Sequence, residues 1–177
     1  MATPSDHELR EMTDRVRAQE AAVARRRQRS LLHQSAEDGT FAGVLTDLAE
    51  RRTSIALHTR AGRLLRGTIR TLGSDYVGLV GPGGDQMFVP LTAITGVRPE
   101  PGTRPTVGDR RERWAATMHA VLVELMTERP TVAVYTVGGD RVPGLLWATG
   151  RDVVSIRRGA DGDCYVPLDA VNDVALT

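Results

Sequence analysis

Residues 59–80, TRAGRLLRGTIRTLGSDYVGLV, and residues 87–97, MFVPLTAITGV, decide the fold, because the segment 41–97 that contains them recurs without a gap as residues 118–174. Each position of the first segment is separated from its counterpart by 77 residues, and sixteen of the 57 aligned pairs are identical. Unrelated chains of average composition would match at roughly four positions. The sequence therefore predicts a tandem repeat of two similar units.

Apolar spacing predicts the same element order in both repeats. Each repeat opens with apolar residues three to four positions apart, typical of an amphipathic helix, and continues with alternation typical of strands. Gly67 and Gly144 lie inside the second strand, where glycine permits sharp bending or close approach of the backbone. Pro90 and Pro167 cannot donate to a strand ladder, so we expect them to mark a break between the fourth and fifth strands or an edge position. Five short, bent strands after one helix indicate a small barrel.

This order of elements resembles the Sm-like superfamily, which includes the Sm and Sm-like RNA-associated proteins and the bacterial host-factor RNA chaperone. The resemblance covers about 57 residues of each repeat and includes Gly62, the pattern G-x-I-x-x-x-G-x-D-Y-V-x-L that starts at Gly67, and a short closing strand at 92–97. It implies association with RNA and rings of a few chains. Sm proteins commonly carry Asp and Asn where this chain has Gly73 and Val77, which argues against uridine-type base recognition. Another small SH3-like barrel is the alternative.

The expected fold is mainly β with helices (α+β): a tandem pair of Sm-like or SH3-like five-stranded barrels, each preceded by a short helix, plus a long N-terminal helix. The expected boundaries are 1–35 for the charged amphipathic N-terminal helix, 36–97 for the first barrel, 98–112 for a linker rich in Pro, Gly and Arg, and 113–177 for the second barrel. Ser5 and Glu8 have the spacing of a helix start. Whether this helix packs on its own chain or on another stays open.

Composition and motifs favour a cytoplasmic protein that is not an enzyme. No apolar run approaches the roughly 20 residues of a membrane span, and the first residues lack the order of a signal peptide. Cys164 is the single cysteine, which excludes an internal disulfide. The 4 histidines show no metal-ligand spacing. We therefore predict no catalytic residue, no metal site and no cofactor.

Basic residues are distributed unevenly, although the net charge is only +1. Repeat 1 carries six arginines against four acidic residues, and repeat 2 carries five against eight. Arginine can pair with phosphate and stack on bases, so repeat 1 and a cluster near the N-terminus form a candidate site for RNA or single-stranded nucleic acid. The candidate residues are Arg60, Arg63, Arg66 and Arg70 in repeat 1 and Arg25, Arg26, Arg27 and Arg29 in the cluster.

An apolar strip replaces these arginines on the second strand of repeat 2, at Pro143, Leu145 and Trp147. Such a strip is seldom left uncovered, so we expect either a covering element of the same chain or an interface with a second subunit. Self-association or a protein partner is expected, as a ring or an isolated pseudo-dimer, and no membrane. The alternative function is a protein-protein interaction or scaffold module that binds no nucleic acid.

Overall fold

The computed structural model describes residues 19, 20, 23, 26, 27, 39–104, 106, 108 and 115–177. Most of the predicted N-terminal helix lies outside these residues, as do Arg25 and Arg29. Arg26 and Arg27 are described, and both are helical and exposed.

Within 39–104 and 115–177, one helix and five strands occur twice in the same order. The first half comprises α1 (Phe41–Glu50), β1 (Ser54–Thr59), β2 (Leu64–Leu72), β3 (Tyr76–Val80), β4 (Gln86–Pro90) and β5 (Ile94–Pro99). The second half comprises α2 (Met118–Glu128), β6 (Thr131–Thr136), β7 (Arg141–Thr149), β8 (Val153–Arg157), β9 (Asp163–Pro167) and β10 (Val171–Leu176). Each of these six elements starts 77 positions after its counterpart. Neither helix is long and apolar enough to cross a bilayer.

The predicted tandem pair of five-stranded barrels is wrong. All ten strands form one antiparallel sheet in the order β5-β1-β2-β3-β4-β10-β6-β7-β8-β9. Strand β4 pairs with β10, with Phe88 opposite Val174 and Met87 opposite Ala175. This ladder satisfies backbone groups that an edge strand would leave unpaired, and it merges the two sets of five strands into one sheet. We call the β4–β10 ladder, together with the side-chain contacts that join the two halves beside it, the joint.

Each half has an apolar core beneath its helix, but the two cores are not independent. Leu45 and Leu48 of α1 are fully buried in the first core. The second core includes Leu122 of α2 and also takes in Tyr76 and Phe88 from the first half. Because the first half supplies two aromatic side chains to the second core, the halves stabilise each other.

The turn before β3 holds the start of α2. Thr117 caps this helix, and its Oγ1 accepts a hydrogen bond from the N–H of Ala120 (3.1 Å). Asp75 accepts a second bond at Oδ1 from the N–H of Met118 (2.7 Å). The backbone N–H of Ser74 also donates to the carbonyl of Ala116 (2.8 Å). These bonds attach the second helix to the first half.

The proline and glycine positions have the expected consequences. Pro90 is the last residue of β4, and the 3-10 turn Leu91–Ala93 separates it from β5, so the expected break is confirmed. At Gly67, an added Cβ would lie 2.4 Å from the carbonyl oxygen of Val80 in the neighbouring strand. The expected close approach of the backbone is therefore confirmed at this position.

Replacing Gly67 with alanine is expected to lower the free energy of unfolding by about 1–3 kcal/mol, the usual cost of overpacking. The reason is that β2 and β3 must separate to admit the methyl group. Gly96→Ala is the matched control, because an added Cβ there meets nothing within 4 Å. Denaturant unfolding of both variants measures the difference, and equal stabilities would contradict the explanation.

Candidate nucleic-acid interface and the joint

Three arginines and a histidine lie on the outward side of the first half. Ala56 of β1 lies between Arg66 of β2 and Arg98 of β5. Neighbouring strands are about 4.8 Å apart, so the two arginine side chains start about 10 Å apart on the same side of the sheet. His58 on β1 and Arg70, at the irregularity where β2 meets β3, are also exposed. We call Arg66, Arg70, Arg98 and His58 the basic face.

No acidic side chain on the same strands opposes the basic face. The five strand sequences are SIALHT, LLRGTIRTL, YVGLV, QMFVP and ITGVRP. In the part of the chain that the structure describes, Arg66, Arg70 and Arg98 form no ion pair. The second half is apolar at the positions that match Arg66, Ala56 and Arg98, which are Pro143, Ala133 and Ala175.

Arg63 lies at the joint and not on the basic face. Its Nη1 is 2.6 Å from Oδ1 of Asp173, and its guanidinium carbon is 3.1 Å from the ring centroid of Tyr135. Both partners belong to the second half, so this guanidinium is already engaged in holding the halves together. Arg60 is exposed in the turn between β1 and β2. The structure thus separates the four predicted arginines of repeat 1 into two on the basic face, one in a turn and one at the joint.

A buried polar network surrounds Arg63. Asn172 is fully buried; its Oδ1 accepts from the N–H of Ala61 (3.0 Å), and its Nδ2 donates to Oγ1 of Thr59 (3.0 Å). The same Nδ2 donates to Oδ2 of Asp173 (2.8 Å). Every polar atom of the Asn172 side chain therefore has a partner, as buried polar groups require. The network fixes one arrangement of the two halves.

Burial dominates the electrostatics of Asp173, which is 0% exposed. Loss of solvent raises the pKa of its carboxyl above the ordinary value, against the opposing effects of the Asn172 hydrogen bond and the Arg63 charge. The ion pair with Arg63 is thus a compensation for a buried charge, and removing the arginine would leave that charge without a counterion.

Arginines of the same chain cover Trp147. The guanidinium carbons of Arg157 and Arg129 lie 3.4 and 4.0 Å from the centroid of its ring, which is typical of cation–π contacts. Arg157 also donates from Nε to Oδ1 of Asp163 (3.0 Å), and this hydrogen bond lowers the pKa of the Asp163 carboxyl. Of the predicted apolar strip, Pro143 and Trp147 are half-buried, whereas Leu145 is exposed.

Titratable groups elsewhere are dispersed. Among residues 39–104 and 115–177, no three His, Cys, Asp or Glu side chains are grouped so as to hold a metal ion. His119 Nε2 is 3.0 Å from the carbonyl oxygen of Gly150, next to the start of α2. Cys164 is half-buried on β9.

Sequence reasoning misses several residues of these two sites, among them Arg98, Asn172 and Asp173. The sequence places Arg98 in the linker, but β5 continues to Pro99 and brings this arginine beside Ala56. Asn172 and Asp173 interrupt the apolar strand VNDVAL, where the first half has Thr95 and Gly96. A polar pair inside an otherwise apolar strand is the signal that could have indicated a buried network.

The role of these residues has to be inferred from their own geometry and chemistry. No protein-family model matches the chain, and the comparison with curated proteins finds no significant match either.

Proposed function

We propose that this protein is a non-enzymatic nucleic-acid-binding protein that holds single-stranded RNA or DNA on the basic face. The observation that carries the proposal is the row formed by Arg66, Ala56 and Arg98 across three neighbouring strands that bear no acidic residue. A guanidinium group binds phosphate through parallel hydrogen bonds and also stacks on bases, so arginine suits such a ligand. The resemblance of both repeats to Sm-like RNA-associated proteins supports the same class of ligand.

The small side chain of Ala56 gives the basic face its shape. Ala56 is only 5% exposed and lies between two long, exposed arginine side chains. A phosphate group placed over it would receive hydrogen bonds from both sides. Contacts of this kind carry no base information, so we expect binding that varies little with sequence and weakens as salt is added. Gly73 and Val77, at positions where Sm proteins commonly have Asp and Asn, agree with binding that is not base-specific.

The double variant Arg66→Ser, Arg98→Ser is expected to weaken binding of single-stranded RNA and DNA about uniformly across sequences. Because pairing with a phosphate displaces counterions, the double variant should also reduce the slope of log K against log salt by about 0.7 for each phosphate contact that is lost. Fluorescence anisotropy with labelled mixed-sequence oligonucleotides, at several salt concentrations, measures both quantities on the full chain.

Arg141→Ser with Arg151→Ser is the matched control, because both arginines are exposed, both lie in the second half, and the charge change is the same. This control should retain the affinity and the salt slope of the unmodified protein. Equal weakening by the two double variants would show that only net charge matters. Binding that is insensitive to salt, or no binding, would favour the protein-interaction module instead.

A further inference from the structure

The sheet ends in two strands whose counterparts are paired inside the chain. Strand β9 is the counterpart of β4, and β5 is the counterpart of β10. Whereas β4 and β10 pair with each other at the joint, β9 and β5 are the two outer strands of the sheet. One chain therefore carries both sides of the joint a second time, on opposite edges.

Exposure at matched positions shows what the joint covers. Phe88 on β4 is 8% exposed, whereas its counterpart Tyr165 on β9 is 67% exposed and is the most exposed large apolar side chain of the described residues. Val174 on β10 is fully buried, whereas its counterpart Val97 on β5 is only partly buried. The outer strands thus present apolar side chains of the kind that the joint buries.

An open groove beside β9 repeats the geometry of the joint. It has a volume of about 440 Å³ and is lined largely by apolar side chains, including Tyr165 and Val166. Thr136, Gly138 and Asp140 also line it, and these are the counterparts of Thr59, Ala61 and Arg63. In the first half, those three residues receive Asn172 and Asp173 of β10. The groove is therefore shaped for a strand of the same type as β10.

We propose that β9 of one copy of this chain pairs with β5 of a second copy, in the register of the joint. By the offset of 77 residues, Tyr165 would lie opposite Val97, and Cys164 opposite Arg98. This pairing shields Tyr165 from water, and the edges of both strands acquire a ladder partner.

The substitutions across this second contact are chemically compatible. At the joint, Arg63 contacts Tyr135. At the proposed contact between copies, the equivalent positions are Asp140 and His58, which are brought together there. An imidazole N–H donates to a carboxylate, so the pair replaces the cation–π contact with a hydrogen bond. Thr95 replaces Asn172, and its hydroxyl is also able to donate and accept. Both sides of the contact therefore keep a partner for their polar groups.

The two surfaces differ, so the association is heterologous and repeats from copy to copy. Such a contact closes into a ring if the rotation per copy divides a full turn, and it extends as a filament if it does not. In both cases every copy offers one β9 edge and one β5 edge.

Two variants that block opposite edges test the proposal. Tyr165→Arg places a charge in the β9 contact, and Thr95→Arg does so in the β5 contact; both side chains are exposed, so the fold is expected to survive. Sedimentation equilibrium of the full chain should give an assembly for the unmodified protein and a monomer for each variant. An equimolar mixture of the two variants should give a 1:1 dimer and nothing larger, because one intact β9 edge and one intact β5 edge remain.

Leu145→Arg is the control, since Leu145 is also exposed and apolar but lies on β7, away from both edges. It should assemble like the unmodified protein. A monomeric unmodified protein at all concentrations overturns the proposal. So does an assembly that Leu145→Arg abolishes and Tyr165→Arg does not, which would place the interface on the strip around Trp147. Circular dichroism during melting confirms that each variant is folded.

Discussion

Replacing Arg63 with alanine is expected to lower the free energy of unfolding by about 3–5 kcal/mol, the usual cost of leaving a buried charge without its partner. Asp173 is 0% exposed, and Arg63 is the cation 2.6 Å from its carboxylate. The substitution also removes the cation–π interaction between the guanidinium and the ring of Tyr135. Denaturant unfolding at pH 7 measures the decrease in stability.

The destabilisation should shrink as the pH falls. Burial already holds the pKa of Asp173 above its unfolded value, so the folded state binds this proton more tightly than the unfolded state. Proton binding by Asp173 therefore stabilises the folded state at a pH below the pKa of the unfolded chain. This stabilisation is lost as the pH rises through the pKa of Asp173 in the folded state. Removing Arg63 raises the pKa of Asp173 in the folded state further. As the pH falls, this carboxyl is therefore protonated, and its buried charge removed, at a higher pH in the variant than in the unmodified protein.

Two further variants separate this explanation from a general effect of removing an arginine. Arg66→Ala, on the exposed basic face, should change stability by no more than about 0.5 kcal/mol. Adding Asp173→Asn to Arg63→Ala should recover part of the stability, because no charge is then buried. A destabilisation that is independent of pH, or one that Arg66→Ala reproduces, would contradict the role assigned to the ion pair.

Replacing Phe88 with alanine is expected to cost about 3–5 kcal/mol, as for other buried phenylalanines. Phe88 belongs to the first half but packs in the core of the second, next to Tyr76 at a ring centroid distance of 6.2 Å. Truncating it opens a cavity and weakens the joint at the same time. The same measurement of unfolding by denaturant applies.

Tyr165→Ala is the matched control, because it truncates an aromatic side chain at the equivalent position of the other half. Tyr165 is 67% exposed within one chain, so its truncation should change monomer stability by no more than about 0.5 kcal/mol. Both variants are best compared in the Thr95→Arg background, where self-association through β5 is blocked. Similar decreases in stability for the two variants would show that the joint does not bury Phe88 in the way described.

Local patterns in the sequence predict the strands well. The five strands expected after each helix are present in both halves, because alternation of apolar residues reports which side chains face the core. The helices at the start of each half are also expected from apolar spacing, although the apolar residue Phe41 at the start of α1 is 43% exposed. These features depend on neighbours within a few residues, which a single sequence displays directly.

Pairing between distant strands could not be predicted in the same way. An edge strand pairs with whichever strand satisfies its backbone groups, and β4 and β10 are separated by eighty residues. Their sequences contain no mark of the pairing except the polar pair Asn172 and Asp173. The prediction of a tandem pair of five-stranded barrels therefore fails at the step from strands to sheet.

The candidate site could be predicted only in part, because it also depends on pairing between strands. Alternation alone places Arg66 and Arg70 on the outward face of β2, and both are exposed. Arg63 is another arginine of repeat 1, but its side chain binds Asp173, a residue 110 positions away. Arg98 joins Arg66 only because β5 lies next to β1. Membership of the basic face depends on strand neighbours, which the alternation of one strand does not specify.

The long separation between the two strands of the joint has a consequence for synthesis on the ribosome. The first half is translated before β10, so Phe88 and the edge of β4 have no native partner until residues 171–176 have left the exit tunnel. Exposed apolar side chains beside an unpaired strand edge favour association between nascent chains. For the interval in which about eighty residues are added, the growing polypeptide depends on chaperones or on low local concentration to keep that edge from pairing with another nascent chain.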